Sequence, residues 1–386
     1  MPYLDHAATA PLRPEALAAM LPFLERPAAN ASSQHAAGRA ARAAVETARE
    51  QVAALVGADP AEVVFTSGGT EADNLAVKGA VLARPAGERH LVVSAVEHHA
   101  VLDAAEWTVQ DAGATLATAP VDALGRVDVT ALPGLLRPGA TALVAVMAAN
   151  NEVGTGQPVA AAAEAAHAAG ALLLCDAVQA AGTPGIDMAE TGIDLLALGA
   201  HKLGGPTGVG ALVVRPGVPL RPLQHGGGQE RGLRSGTLPV AALAGFGAAA
   251  AAAQADRATL PVRLAGLRER LLGGLSAAVP RLEVNGDPGG PGGLPGLLSV
   301  RLPGLRAEDL LLLLDRDGVA CSAGSACSSG AATASHVLLA MGRTDTEARE
   351  TLRFSLGPAS TTGDVDAAVT AVARAATVLQ PVGGAS

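Results

Sequence analysis

The chain has 386 residues, a formal charge of −9 at pH 7, 49% apolar residues and only 2% aromatics. Without a Lys/Arg-rich run it lacks the electrostatic footprint of a nucleic-acid binder. Three cysteines, Cys175, Cys321 and Cys327, with no CxxC pair exclude a disulfide framework and point to no metal site.

The length suits two or three ordinary domains, or one large α/β domain with a satellite. With so few aromatics the core has to be Ala, Val and Leu. The start, Met1 to His6, lacks the charged-then-apolar pattern of a leader. The longest apolar stretch, Val240 to Ala253, is too short and too Ala-rich to span a membrane. A soluble cytoplasmic protein is expected.

In chain order, Gln34 to Gly57 carries a helical stripe of Val45, Val52, Leu55 and Val56, stopped by Gly57. Seven short apolar runs then read as strands: Glu62 to Thr66, Leu91 to Ser94, Thr115 to Ala119, Ala142 to Ala148, Leu172 to Asp176, Leu195 to Leu198 and Gly210 to Val214. Helix-length segments separate several of them, which predicts a mostly parallel seven-stranded sheet with helices on both faces. Val240 to Ala278 is helical with a break near Pro261, and Asn285 to Gly296 is a Gly/Pro-rich loop. A strand (Leu297 to Leu302), a helix (Arg306 to Asp317), a short strand into Cys321, a helix (Ser335 to Met341), a strand (Leu352 to Leu356) and a last helix (Gly363 to Leu379) follow. The reading is α/β: a large domain over 14–253, and a smaller α+β domain over 254–386 joined by 1–13.

The chain has two lysines, Lys78 and Lys202, beside twenty-five arginines. A sequence that writes nearly every cation as Arg keeps Lys where an amine is needed, because guanidinium stays protonated and cannot form a Schiff base. Lys202 follows the Leu195 strand in Gly199-Ala200-His201-Lys202, where α/β sheets place ligands. Lys78, before Gly79, reads as a cation near a helix end, suited to the macrodipole. Asp176 closes an apolar run, so its carboxylate needs a positive partner such as a pyridinium nitrogen. In isolation it equally fits a helix N-cap. Thr66 to Asn74 reads strand, Gly turn, helix start, an anion site with free N–H groups; a helix capped by Thr70 with Asp73 is the alternative. Ser322 to Gly330 surrounds Cys327 with Gly, Ser and Ala, the setting of an exposed, reactive thiol. Cys175 and Cys321 read as buried small hydrophobes. Arg353, inside a strand, calls for a carboxylate partner.

These segments come together in one resemblance. Tyr3 to Thr9, Thr66 to Asn74, Glu97-His98, Asn150 to Gly154, Asp176 to Gln179, His201-Lys202, His225 to Pro239, Gly324 to Cys327 and Arg353 to Gly357 resemble, in order, the motifs of the NifS/IscS-type cysteine desulfurases. These are enzymes of the class V aminotransferase group that use pyridoxal 5'-phosphate on the fold type I transferase scaffold. The resemblance implies that Lys202 carries the cofactor as a Schiff base, Asp176 binds its ring nitrogen, and Gln179 and Asn151 address its ring oxygen. His98 stacks on the ring. Gly69, Thr70 and His201 hold the phosphate, joined by Thr237 from the other subunit of a homodimer. Arg353 and Asn30 bind the carboxylate of L-cysteine. The Cys327 thiolate takes the substrate sulfur, leaving alanine and a persulfide to be handed to an acceptor protein for iron–sulfur assembly or tRNA thiolation. Lys202, His98 and Cys327 are the catalytic residues on this reading.

The chain departs from the family at Gly199 (usually Ser), Thr207 (often Lys), His6 (commonly Tyr) and Cys321 (aliphatic). Selenocysteine lyase or aminotransferase chemistry is the rival, and a non-catalytic sulfur carrier on the same fold is a third possibility. Amino-group transfer without sulfide marks the rival, and absence of a Schiff-base band at roughly 400–430 nm marks the carrier.

Overall fold

The computed structural model describes residues 2–25, 29–324 and 334–379. Its first part holds helices α1 (Pro14–Leu24) and α2 (Ala36–Leu55), then β1 (Val63–Thr66), α3 (Gly69–Ala83), β2 (His90–Ser94), α4 (His99–Ala112) and β3 (Thr115–Ala119). There follow α5 (Leu132–Leu135), β4 (Thr141–Ala145), α6 (Val159–Ala168), β5 (Leu172–Asp176), α7 (Met188–Thr191), β6 (Leu195–Gly199), β7 (Gly210–Val214) and α8 (Val240–Asp256). The seven strands form one sheet in the order β1-β7-β6-β5-β4-β2-β3. Only β7 runs against the rest, being antiparallel to both β6 and β1. The carboxyl ends of β1, β2, β4, β5 and β6 therefore share one edge.

Side chains alternate between two cores. Along β5, Leu173 and Cys175 enter the core shared with α2, α6 and α8, while Leu174 enters the one shared with α3 and α4. A sheet buried on both faces has to be apolar throughout, which explains the unbroken Val, Leu and Ala runs. Ala, Val and Leu do supply most of this core, with Phe65 and Phe246 meeting edge to face at 6.3 Å.

The second part holds α9 (Leu260–Ala278), β8 (Glu283–Asn285), β9 (Leu297–Arg301), α10 (Ala307–Arg316), α11 (His336–Ala340), α12 (Asp345–Arg349), β10 (Thr351–Ser355) and α13 (Thr362–Leu379). An antiparallel sheet, β10-β9-β8, packs with α9, α10 and α13 around a core that also takes Leu4. The chain start bridges the two parts. Tyr3 pairs with Ala320 and Asp5 with Ser355 before the strap runs on to the end of β6, where Ala10 N–H donates to His201.

The structure departs from the sequence expectations in several places. Helix α1 was not foreseen, because Pro22 inside it reads as a breaker. The fourth strand ends at Ala145 rather than Ala148. The expected boundary at 253/254 falls inside the last turn of α8, which runs to Asp256 and is separated from α9 by a break at 257–259. Asp176 caps no helix; its Oδ1 accepts the Val178 N–H in a turn. Thr70 caps nothing either: the N-cap of α3 is Gly68, and Glu71 takes the Ser67 N–H.

Lys78 lies well inside α3 and not near its end, so the macrodipole does not explain it. Its ammonium sits 4.5 Å over the Trp107 ring, a cation–π contact. No helix among the described residues is long and apolar enough to cross a membrane.

Candidate active site

The shared strand edge brings the polar residues together. Asp176 ends β5, and Lys202 closes a short turn (Ala200–Lys202) directly after β6. His98 is the N-cap of α4, just beyond β2, and its Nδ1 accepts the Ala100 N–H at 3.1 Å. That acceptor role puts the proton of the neutral ring on Nε2. Burial holds the His98 pKa below its ordinary value; Asp176 opposes the shift and Lys202 adds to it. Burial likewise raises the Asp176 pKa, against His98, the Val178 N–H and Lys202. The three groups thus act on one another.

Two further carboxyl groups lie behind Asp176. Glu97 Oε1 accepts from Ser94 Oγ at 2.5 Å and from Met147 N–H at 2.8 Å, which ties the ends of β2 and β4. Its other oxygen has no partner among the described residues, nor has Asp73 Oδ1 on α3. Both side chains are 1% exposed. Burial pushes Glu97 up to about 8 and Asp73 well above the carboxylate range, the latter reinforced by Asp176 and Glu97. Cys175, wholly buried beside these acids, has its thiol pKa raised in the same way and stays inert.

The opposite end of the site is backbone. A Cβ on Gly69 would stand 2.6 Å from Val178 Cγ2, and one on Gly199 would lie 3.3 Å from Val178 Cγ1 and 3.8 Å from Gly69 N. Gly69, Gly199 and the turn after Asp176 therefore meet at the N-terminus of α3, whose first N–H groups are available to an anion. Thr70 is exposed there. His201 Nδ1 lies 3.2 Å from the Thr9 hydroxyl, and burial then Lys202 depress its pKa to about 4. Gln179 Nε2 donates to the Ala7 carbonyl at 2.9 Å, and the Lys202 amine donates to the same oxygen and to Ala8 O at 2.7 Å.

Arg353 enters from β10, 2% exposed. Its carboxylate partner is Asp5 at 2.9 Å, and it also donates to the backbone carbonyl of Asn151 at 2.9 Å. Arg353 Nε has no partner among the described residues. Cys327 lies outside the described residues, but both flanks of its segment are anchored here. Ser322 pairs with Arg353, Gly324 lies against Glu152, and Ser335 Oγ donates to Glu152 at 2.5 Å. Burial, then Asp5, push the Cys321 thiol up to about 12, so this half-buried cysteine is no thiolate.

Asn30 and Thr237 lie together. They line one cleft of about 500 Å³ with Arg42 and Arg49, where the buried Glu230 takes both Arg49 amino groups at 2.8 Å. Sequence reasoning passed over the carbonyls of Ala7 and Ala8, and read Asp73 only as part of a helix cap. Asp73 left a signal, an acid on the helix face that carries Ala76, Val77 and Ala80; the carbonyls left none.

An amine, a buried carboxyl group and a helix N-terminus within one site fit a cofactor that has an aldehyde, a basic ring nitrogen and a phosphate. The model of the class-V aminotransferase family matches residues 2–368. An IscS-like cysteine desulfurase of Mycobacterium tuberculosis is 46% identical over the whole of both chains. A solved structure titled NifS-like protein superposes with a TM-score of 0.90 at 33% identity, covering 97% of this chain and 99% of the other. Another, titled SspA in complex with cysteine, superposes at 0.81 with 32% identity, covering 94% of this chain and all of the other.

Proposed function

The chain belongs to the class-V aminotransferase family, among its NifS/IscS-type cysteine desulfurases, and on that premise we propose how its residues carry the reaction. The observation that supports the assignment most is the mutual placement of Lys202, Asp176 and His98 at the ends of β6, β5 and β2. Pyridoxal 5'-phosphate, when bound, supplies an aldehyde for amino groups and an electron sink for bond cleavage at the neighbouring carbon.

Lys202 is the amine that holds it and moves a proton at the substrate Cα. Asp176 would keep a proton on the ring nitrogen, a task for a carboxylate in a dry site. Gln179 and Asn151 would contact the ring oxygen. His98 would cover the ring face as a neutral imidazole, its proton on Nε2. Gly69, Thr70 and His201 hold the phosphate, and Thr237 of the partner subunit completes it in a homodimer.

Arg353 and Asn30 receive the substrate carboxylate; the guanidinium is already desolvated. The Cys327 thiolate forms a bond to the sulfur of L-cysteine as the Cβ–S bond breaks. Cβ keeps that electron pair and takes a proton, so the products are L-alanine and a Cys327 persulfide. An acceptor protein for iron–sulfur assembly or tRNA thiolation then takes the sulfur, in a reducing cytoplasm that keeps the thiol available.

Sulfide or alanine release from L-cysteine tests the assignment. Cys327→Ala should retain the Schiff-base band and lose sulfide release, and Lys202→Ala should lose both. Undiminished sulfide from Cys327→Ala would overturn the role of Cys327. Amino transfer from alanine or serine to a keto acid, without sulfide, would favour the aminotransferase reading.

A further inference from the structure

The N-terminal strap reaches the site through its backbone, and the printed contacts give that backbone a task. Lys202 Nζ donates to Ala7 O and to Ala8 O, the latter at 2.7 Å. The same Ala7 carbonyl also takes Gln179 Nε2 at 2.9 Å. The strap is held there from β10. Ser355 Oγ accepts the Ala7 N–H at 2.9 Å, and the Ser355 carbonyl accepts both the His6 N–H at 3.3 Å and His6 Nδ1–H at 3.1 Å. Ser355 is 4% exposed and His6 9%. Two residues back on the same face of β10, Arg353 grips Asp5 of the strap.

We propose that the carbonyls of Ala7 and Ala8 form a cradle in which the Lys202 amine rests whenever it is not covalently engaged, and that Ser355 is the positioning residue that fixes this cradle. The inference rests on Lys202 being the reactive amine. A lysine side chain has four rotatable bonds, so an unheld amine spreads over many rotamers. Two carbonyl acceptors define one position for it, beside the end of β5 where it has to act. The strap can do this only if its own peptide groups are fixed. The Ala7 N–H is fixed by Ser355, because a buried N–H left without an acceptor costs more than the bond gains. Gly357 adds a steric condition. A Cβ there would stand 2.0 Å from His6 Cδ2, so only glycine lets the His6 ring lie where Ser355 holds it.

The lysine count makes this measurable. Lys202 and Lys78 are the only lysines, so competitive acylation of the full-length protein stripped of cofactor, read by peptide mass spectrometry, compares two side chains in one tube. Lys78, on the Trp107 ring, is the internal reference. Acylation needs the amine to leave its acceptors and turn its lone pair to the reagent. Ser355→Ala should raise the Lys202-to-Lys78 labelling ratio by about fivefold, the shift expected from losing roughly one hydrogen bond. Gly357→Ala should raise it as well, by displacing His6, and Ser355→Thr, which keeps the hydroxyl, should restore the wild-type ratio. Circular dichroism and the melting midpoint identify variants that remain folded. A ratio within twofold of wild type in a folded Ser355→Ala protein overturns the cradle. Failure of the wild type to form a Schiff-base band with pyridoxal phosphate would sink the cofactor reading instead, and the labelling ratio does not depend on that band.

Discussion

The two ends of the site are made of different material. At the end of β5 the chemistry sits on buried side chains: Asp176, with Glu97 and Asp73 behind it, all at most 6% exposed. At the start of α3 it sits on peptide N–H groups framed by Gly69 and Gly199, with Thr70 exposed to solvent. On the proposed function, the division follows from what each end would have to do. Keeping a proton on a ring nitrogen needs a carboxylate in a dry place, where its charge is strong because water is excluded. Gathering an anion needs only aligned donors and room to approach them. The first end is therefore intolerant of changed charge, and the second of changed volume.

The sharpest way to break this comparison is Asp176→Asn, which keeps shape and removes charge. Losing one partner of a buried ion pair costs about 3–5 kcal/mol, which corresponds to about a thousandfold loss in kcat at saturating pyridoxal phosphate. Steady-state sulfide release with cofactor occupancy checked by absorbance measures it. A loss under tenfold would mean that the nitrogen end does not depend on the charge of Asp176.

Glu97→Gln comes next and acts on stability. Glu97 ionises at about 8 in the folded chain against an ordinary 4.5. Between those values the folded chain binds the extra proton, so stability falls as pH rises, by about 1.4 kcal/mol per pH unit for a fully buried group. The contribution is whole below pH 4.5 and gone above the folded value. Glutamine preserves an acceptor for Ser94 and Met147 and abolishes the titration. Urea unfolding at pH 5.5 and 7.5 should therefore show the variant gaining about 2 kcal/mol on wild type over that interval. A parallel fall in both proteins would show that Glu97 is not the titrating group.

What was legible in the sequence follows the same division. All seven strands of the large sheet could be read because a strand buried on both faces announces itself as an apolar run, and Asp176 stood out as the charge that closes one. Lys202 stood out by lysine scarcity. The reversed direction of β7 could not be read, since an apolar run looks the same in either sense. Lys78 was misplaced because Gly79 looked like a helix stop. In the fold Gly79 lies inside α3, where the Arg221 carbonyl would stand 3.0 Å from a Cβ, and the helix runs on to Ala83. The strap carbonyls were invisible because any residue supplies a carbonyl. Asn30 and Thr237 carry no local signal that places them in one cleft.

At the anion end the test is volume. Gly69→Ala brings a Cβ to 2.6 Å from Val178 Cγ2. Overpacking costs about 1–3 kcal/mol, so the dissociation constant of pyridoxal phosphate should rise about tenfold, with kcat at saturation little changed. Adding Val178→Ala should recover most of the affinity. A fall in kcat with unchanged affinity would place Gly69 in the chemistry instead of the anion site.

The smallest expected effect is the most discriminating, because it runs towards tighter binding. Gly199 stands where the family usually has serine. A Cβ at that position lies 3.3 Å from Val178 Cγ1 and 3.6 Å from His201 Cδ2, close but within what a small shift relieves, and 3.8 Å from Gly69 N. Gly199→Ser would thus add a hydroxyl at the start of α3 without displacing backbone. If peptide N–H groups already carry the anion, the hydroxyl supplies one more donor among several and strengthens cofactor affinity by about threefold, less than a full neutral hydrogen bond. The release rate of pyridoxal phosphate during dialysis, compared with that of Gly199→Ala, separates the hydroxyl from the added volume. A gain of thirtyfold or more would mean that the backbone leaves the anion undersupplied, and the contrast between the two ends would then be one of missing side chains rather than of material.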